Sequence, residues 1–92
     1  MSPHIEYIVL CGQVVGGNDR PFTTEYSTDH IRSGNRDLAI RRGFKARGSD
    51  DFNIGVLREG KLVSVDWMEK PVDTDPALMA EIAKQIGLES SP

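Results

Sequence analysis

The chain has 92 residues, 38% of them hydrophobic and 27% charged, with a net charge of -3 and one cysteine. That composition supports one packed core and excludes the disordered class, while a lone cysteine excludes both an intrachain disulfide and a single-chain thiolate zinc site. The first residues lack a basic-then-apolar leader pattern, and the longest apolar run, Tyr7 to Cys11, is far too short for a bilayer. We therefore expect one cytoplasmic domain, residues 1–92, ordered from about Ile5 to Leu88, with no membrane role.

From Ile5 to Val15 the chain is rich in β-branched and aromatic residues, and its first half is apolar on both alternating faces apart from Glu6. This predicts a central strand. Gly16-Gly17-Asn18-Asp19-Arg20-Pro21 concentrates turn formers, and Pro21 cannot donate to a ladder, so the chain is expected to reverse or leave the sheet there. Residues 22–27 read as a returning strand. Ser33-Gly34-Asn35 offers a helix N-cap, and a helix is predicted over 36–47, ended by Gly48. Ile40 and Phe44 share one face with Ala39 and Gly43 beside them, while Arg41, Arg42 and Lys45 fall opposite. Gly43 is costly in mid-helix, which points to a backbone packed closely against it.

Residues 51–57 and 61–68 alternate apolar and polar positions around Arg58-Glu59-Gly60-Lys61, where glycine supplies the positive φ of a tight turn. They read as an antiparallel hairpin. Strict alternation puts Val63, Val65 and Trp67 on the helix-facing side and Leu62 and Met68 on the reverse. Asp75-Pro76 is an N-cap acid followed by proline at the first helical position, and Leu78, Ile82 and Ile86 form a stripe up to Gly87-Leu88. A second helix is predicted over 76–86. The fold class is α+β: a small, mostly antiparallel sheet of three or four strands layered by two helices on a common face, in the order strand, strand, helix, strand, strand, helix.

The charge is segregated. Residues 1–30 carry -3, residues 31–48 carry +5 through Arg32, Arg36, Arg41, Arg42, Lys45 and Arg47 against Asp37, and residues 49–92 carry -5. Complementary potentials steer association, so Arg41, Arg42 and Lys45, with the sheet face near Leu62 and Met68, are the expected partner-binding surface. The function expected is a non-enzymatic protein-interaction or regulatory accessory domain that binds a protein partner or itself as a homo-oligomer. The alternative is nucleic-acid binding through the basic helix 36–47, whose cations would neutralise phosphates. Against it stand the acidic remainder and the lack of aromatics among the basic residues.

No catalytic, cofactor or metal motif is complete. The glycines of 11–17 run toward Pro21 instead of into a helix N-terminus, unlike a phosphate-cradling loop. Cys11, with His4 and His30, holds the parts of a nucleophile and base, but it sits in an apolar strand, where a small core residue is the simpler reading. Asp29 and His30 are a candidate carboxylate–imidazole pair. An enzyme using Cys11 or Asp29 and His30 is the third hypothesis. Asp50, Asp51, Asp66, Glu69, Asp73 and Asp75 match no calcium-loop spacing and read as a solvated acidic surface.

The stretch Ser49-Asp50-Asp51-Phe52-Asn53-Ile54-Gly55-Val56-Leu57-Arg58-Glu59-Gly60-Lys61-Leu62-Val63, continuing through Trp67-Met68 to Ile82-Ala83-Lys84-Gln85-Ile86-Gly87-Leu88, resembles small actinobacterial and actinophage proteins. The resemblance covers the second half of the chain. It implies a compact accessory protein of a bacterial or phage cytosol and carries over no functional residue.

Overall fold

The computed structural model describes residues 4–68 and 72–90. Six elements follow one another: β1 (Ile5–Gly17), β2 (Arg20–Thr28), α1 (Arg36–Arg47), β3 (Asn53–Arg58), β4 (Lys61–Asp66) and α2 (Pro76–Ile86). The strands form one antiparallel sheet in the order β2-β1-β3-β4. The α+β class, the element order and both helix ranges are as the sequence predicts.

Local chemistry explains the helix ends. Asn35 caps α1 by accepting from the Leu38 N–H at 3.1 Å, and Gly48 ends it in the left-handed region at φ 70°. Asp75 caps α2 ahead of Pro76. At its other end the Leu88 N–H donates to the Ala83 carbonyl at 2.8 Å and Leu88 packs back on the core, a Schellman ending around Gly87.

The helices do not share a sheet face. One core joins Ile8, Leu10, Leu57, Leu62 and Val65 of the strands to Met79, Ile82, Ala83 and Ile86 of α2. The other joins Val9, Ile54 and Phe52 to Ala39 of α1, with Tyr7, Cys11, Ile40 and Met68 packed against it. Successive β1 residues feed opposite cores, so the sheet is the middle layer of a three-layer sandwich. This corrects the expected common face, and it accounts for an apolar run on both faces of β1.

Leu62 corrects a second expectation. It is 0% exposed and lies in the α2-side core with Val65, although strict alternation would part them. The pairing of β3 with β4 shifts between Val56 opposite Ser64 and Leu57 opposite Leu62, leaving Val63 as an extra residue. That bulge inverts the side-chain phase on either side of itself. Gly43 is also explained differently from expectation. A Cβ there would lie 2.3 Å from the Phe52 ring, so an aromatic ring, not a backbone, requires the glycine.

β1 serves two partners in succession. Ile5–Leu10 pair with β3, and Leu10–Gly17 pair with β2. The β1–β2 hairpin therefore extends past the end of β3 as a two-stranded arm, and the molecule measures 51 Å along its longest axis. Near the tip, Pro21 and Phe22 oppose Gly16, a bulge that lets proline sit within β2 where no ladder donor is needed. The far edge of the sheet is closed by the chain itself, since Val65 of β4 exchanges backbone bonds with Asp73 and the Leu62 N–H donates to the Glu89 carbonyl.

Candidate functional site

The basic segment is largely consumed by ion pairs within the molecule. Arg32 meets Glu6 at 3.4 Å, Arg36 meets Asp66 at 2.6 Å, Arg42 meets Asp29 at 3.0 Å and Arg47 meets Asp51 at 3.1 Å. Each partner comes from one of the acidic flanking segments. The charge blocks seen in sequence thus meet each other on folding, which removes much of the reason to seek an external acidic partner. Partial burial pushes the Asp66 carboxyl up, but the Arg36 guanidinium and the Met68 N–H, donating at 2.8 Å, outweigh it and hold the group below its ordinary value. Only Arg41 and Lys45 of the six cations lack an acidic partner among the described residues, and both are exposed on α1.

The predicted partner-binding residues are therefore not brought together as expected. Arg42 is half-buried and paired, and Leu62 is core. Met68 packs on the α1-side cluster with backbone φ 72°. The candidate chemistry disperses too. Asp29 accepts from Arg42 and from the Ile31 N–H at 3.0 Å, and its carboxylate does not pair with His30. Asp66 and Asp75 are occupied by Arg36 and by the cap of α2. Among the described residues no three His, Cys, Asp or Glu side chains converge as metal ligands; Glu69 lies outside them.

What sequence reasoning missed is the inner edge of the arm. Tyr7 donates to and accepts from Ser33, both at 2.8 Å, on the β2 side, while the His4 carbonyl accepts from the Glu59 N–H on the β3 side. Backbone direction alternates along a strand, so the odd residues of β1 face β2 and the even residues face β3. The last β3 partner is Asn53, opposite Leu10. Beyond it the N–H and C=O groups of Gly12 and Val14 on that side have no backbone partner among the described residues. A strand edge of this kind is a template for another strand, and proteins usually guard one with charge, proline or a cover. Here Cys11-Gly12-Gln13-Val14-Val15-Gly16-Gly17 has neither charge nor proline. The outer edge of β2 is guarded by contrast, carrying Arg20, Pro21 and Glu25, with the Tyr26 N–H capped by the Gln85 side chain at 2.7 Å.

A cleft of about 460 Å³ opens where this edge begins, lined by Gly12, Phe44, Phe52, Asn53, Trp67 and Met68, with Asp50 and Asp51 at its rim. Phe44 and Phe52 meet edge to face at 5.2 Å. On the α2 side, the Tyr26 and Trp67 rings approach to 6.5 Å, and Tyr26 leans over Gly12, where an added Cβ would meet its ring at 3.2 Å. Burial, and then the nearby Asp73 carboxylate, push the Tyr26 phenol up from its ordinary value, so it stays neutral at physiological pH. Cys11 lies in an adjoining groove of about 460 Å³ with Gln13, Glu25, Ser27, Arg47 and Asp51. The arrangement offers unpaired strand edge beside aromatic and thioether surface, which suits recognition of an extended chain. The available signal in sequence was length: the first predicted strand outran either strand of the second hairpin.

No protein-family model, no characterised protein and no solved structure matches this chain. No helix among the described residues is long and apolar enough to cross a membrane.

Proposed function

We propose that this chain is a non-enzymatic protein-interaction domain of regulatory or accessory type, which takes an extended segment as an added strand along the inner edge of β1. The observation that carries this reading is that the backbone of Gly12 and Val14, beyond Asn53, has no partner on that side among the described residues. Main-chain hydrogen bonds supply affinity in such binding, and the cleft of Phe44, Phe52, Trp67 and Met68 supplies a pocket for one or two side chains. Met68 belongs to this surface; Leu62 does not. Arg41 and Lys45, exposed on α1, are the cations still available to an acidic partner. The resemblance of the second half of the chain to actinobacterial and actinophage proteins would place the role in a bacterial or phage cytosol.

Selection of displayed random peptides against the folded protein tests the proposal, with Val14→Pro as the comparison. Proline removes an edge donor and is tolerated at an exposed edge position. Selected peptides are expected to slow amide exchange at Gly12 and Val14 and to lose binding to V14P. Peptides that bind V14P equally well, or that protect only α1, would overturn it.

A further inference from the structure

One wall of the cleft joins aromatic surface to negative charge. Phe44 and Phe52 form its rings, with Phe44 still 46% exposed, and the Asp50 and Asp51 carboxylates lie beside them. We propose that this wall selects a lysine or arginine side chain of the added segment, its aliphatic stem lying on the two rings and its charge meeting Asp50. The inference rests on the strand-addition role proposed above and names a residue the segment must carry.

The charge of the cleft is one-sided. No lysine or arginine lines it among the described residues, and Arg41 and Lys45 lie elsewhere on α1. Asp51 already accepts from Arg47 at 3.1 Å. The exposed Asp50 carboxylate enters no ion pair or hydrogen bond among the described residues, so its charge is unspent. The loop that carries it is held in place: the Phe52 N–H donates to the Asp50 carbonyl at 2.9 Å, and the Asp51 N–H donates to the Ser49 hydroxyl at 3.3 Å.

A long cation suits both parts of such a wall. Lysine and arginine lay an apolar stem along apolar surface while the head stays in water, and an aromatic ring attracts the head electrostatically. An acidic side chain would be repelled by Asp50, and a purely apolar one would leave that carboxylate uncompensated. Alternation along the added strand limits the demand to one position. Phe52 belongs to the α1-side core and Trp67 packs on the α2-side core, so successive side chains of the segment meet different walls. The basic residue is the one that faces Phe44, Phe52 and Asp50.

The displayed-peptide selection described above also tests this inference. Recovered sequences are expected to hold lysine or arginine at one fixed position, with no excess elsewhere. In a synthetic copy of the tightest-binding peptide, norleucine at that position keeps the stem and removes the charge. It is expected to weaken binding about 3- to 30-fold, the sum of an exposed ion pair and a cation–π contact. Asp50→Asn is expected to weaken the charged peptide about 2- to 5-fold and to leave the norleucine peptide unchanged. Glu89→Gln removes the same charge beside Leu62, at the opposite end of β4 from Trp67, and is expected to change neither. Edge-binding peptides without a fixed basic position, or equal weakening by D50N and E89Q, overturn the cation inference and leave the strand-addition role standing. Peptides that need Asp50 yet bind V14P as well as wild type overturn strand addition and keep the cleft as a site for cations. A selection that recovers no binder, or only peptides that need neither Asp50 nor the edge, overturns both proposals.

Discussion

Gly43→Ala sets two effects of opposite sign against each other. Alanine in place of glycine within a helix favours folding by about 1 kcal/mol through propensity alone. Against that, the new Cβ would lie 2.3, 2.5 and 2.6 Å from three atoms of the Phe52 ring, whereas ordinary contact begins near 3.4 Å. The ring must retreat by about 1 Å, yet Phe52 is buried and held edge to face by Phe44 at 5.2 Å. Overpacking of this severity costs toward the upper end of about 1–3 kcal/mol. The net expectation is a loss of about 1–2 kcal/mol. Urea unfolding reads it as a fall in midpoint of about 1–2 M at unchanged slope, taking a slope near 1 kcal/mol/M for a small domain. Phe52→Leu should relieve the clash, so that Gly43→Ala costs less in that background than in the wild type. A midpoint that rises in the single variant would refute the packing of α1 on Phe52 and return Gly43 to an unexplained mid-helix glycine.

Leu62→Ala is expected to cost about 2–4 kcal/mol in urea unfolding, as for a fully buried leucine, while Arg41→Ala should fall within about 0.5 kcal/mol of wild type. Equal small effects would show that Leu62 lies on an open face after all. Asp66→Asn should cost about 1 kcal/mol at neutral pH, a modest figure because Arg36 is substantially exposed. Since folding lowers the Asp66 value, its contribution is present above the unfolded-state value near 4 and is lost as pH falls through the lower folded value. Wild type and D66N should therefore converge in stability once the pH has fallen below the lowered folded value, read from acid titrations of urea midpoints. With four of the six cations of residues 31–48 already paired, a mixed-sequence DNA duplex should produce no mobility shift at physiological salt. A shift that weakens steeply with added salt would restore α1 as a phosphate-binding helix.

The elements legible in the sequence were those whose ends carry local chemistry. Asn35 and Gly48, Asp75-Pro76 and Gly87-Leu88 fix both helices through caps that act within a turn or two of chain. The tight turn at Glu59-Gly60, with φ 51° and 80°, is equally local. What escaped depends on residues distant in sequence. The Val63 bulge exists only in the pairing of β4 with β3, and the placement of Leu62 reversed with it. The segregated charge was visible, but its meaning lay in partners up to 30 residues away, as with Arg36 and Asp66. Val14 read as strand from sequence, yet that its edge lacks a partner follows only from where β3 ends.

The unequal treatment of the strand edges sets a limit on growth. At β4 the chain's own Asp73 and Glu89 backbones occupy the edge, and at β2 proline, charge and the Gln85 amide blunt it. Among the described residues the inner side of the arm is the edge left without such a guard. In polymer terms, strand addition as proposed would make the molecule a monofunctional unit, coupling once and then terminated at its guarded edges. A chain built this way can carry an adhesive, uncharged seven-residue segment without the open-ended stacking that such segments otherwise invite.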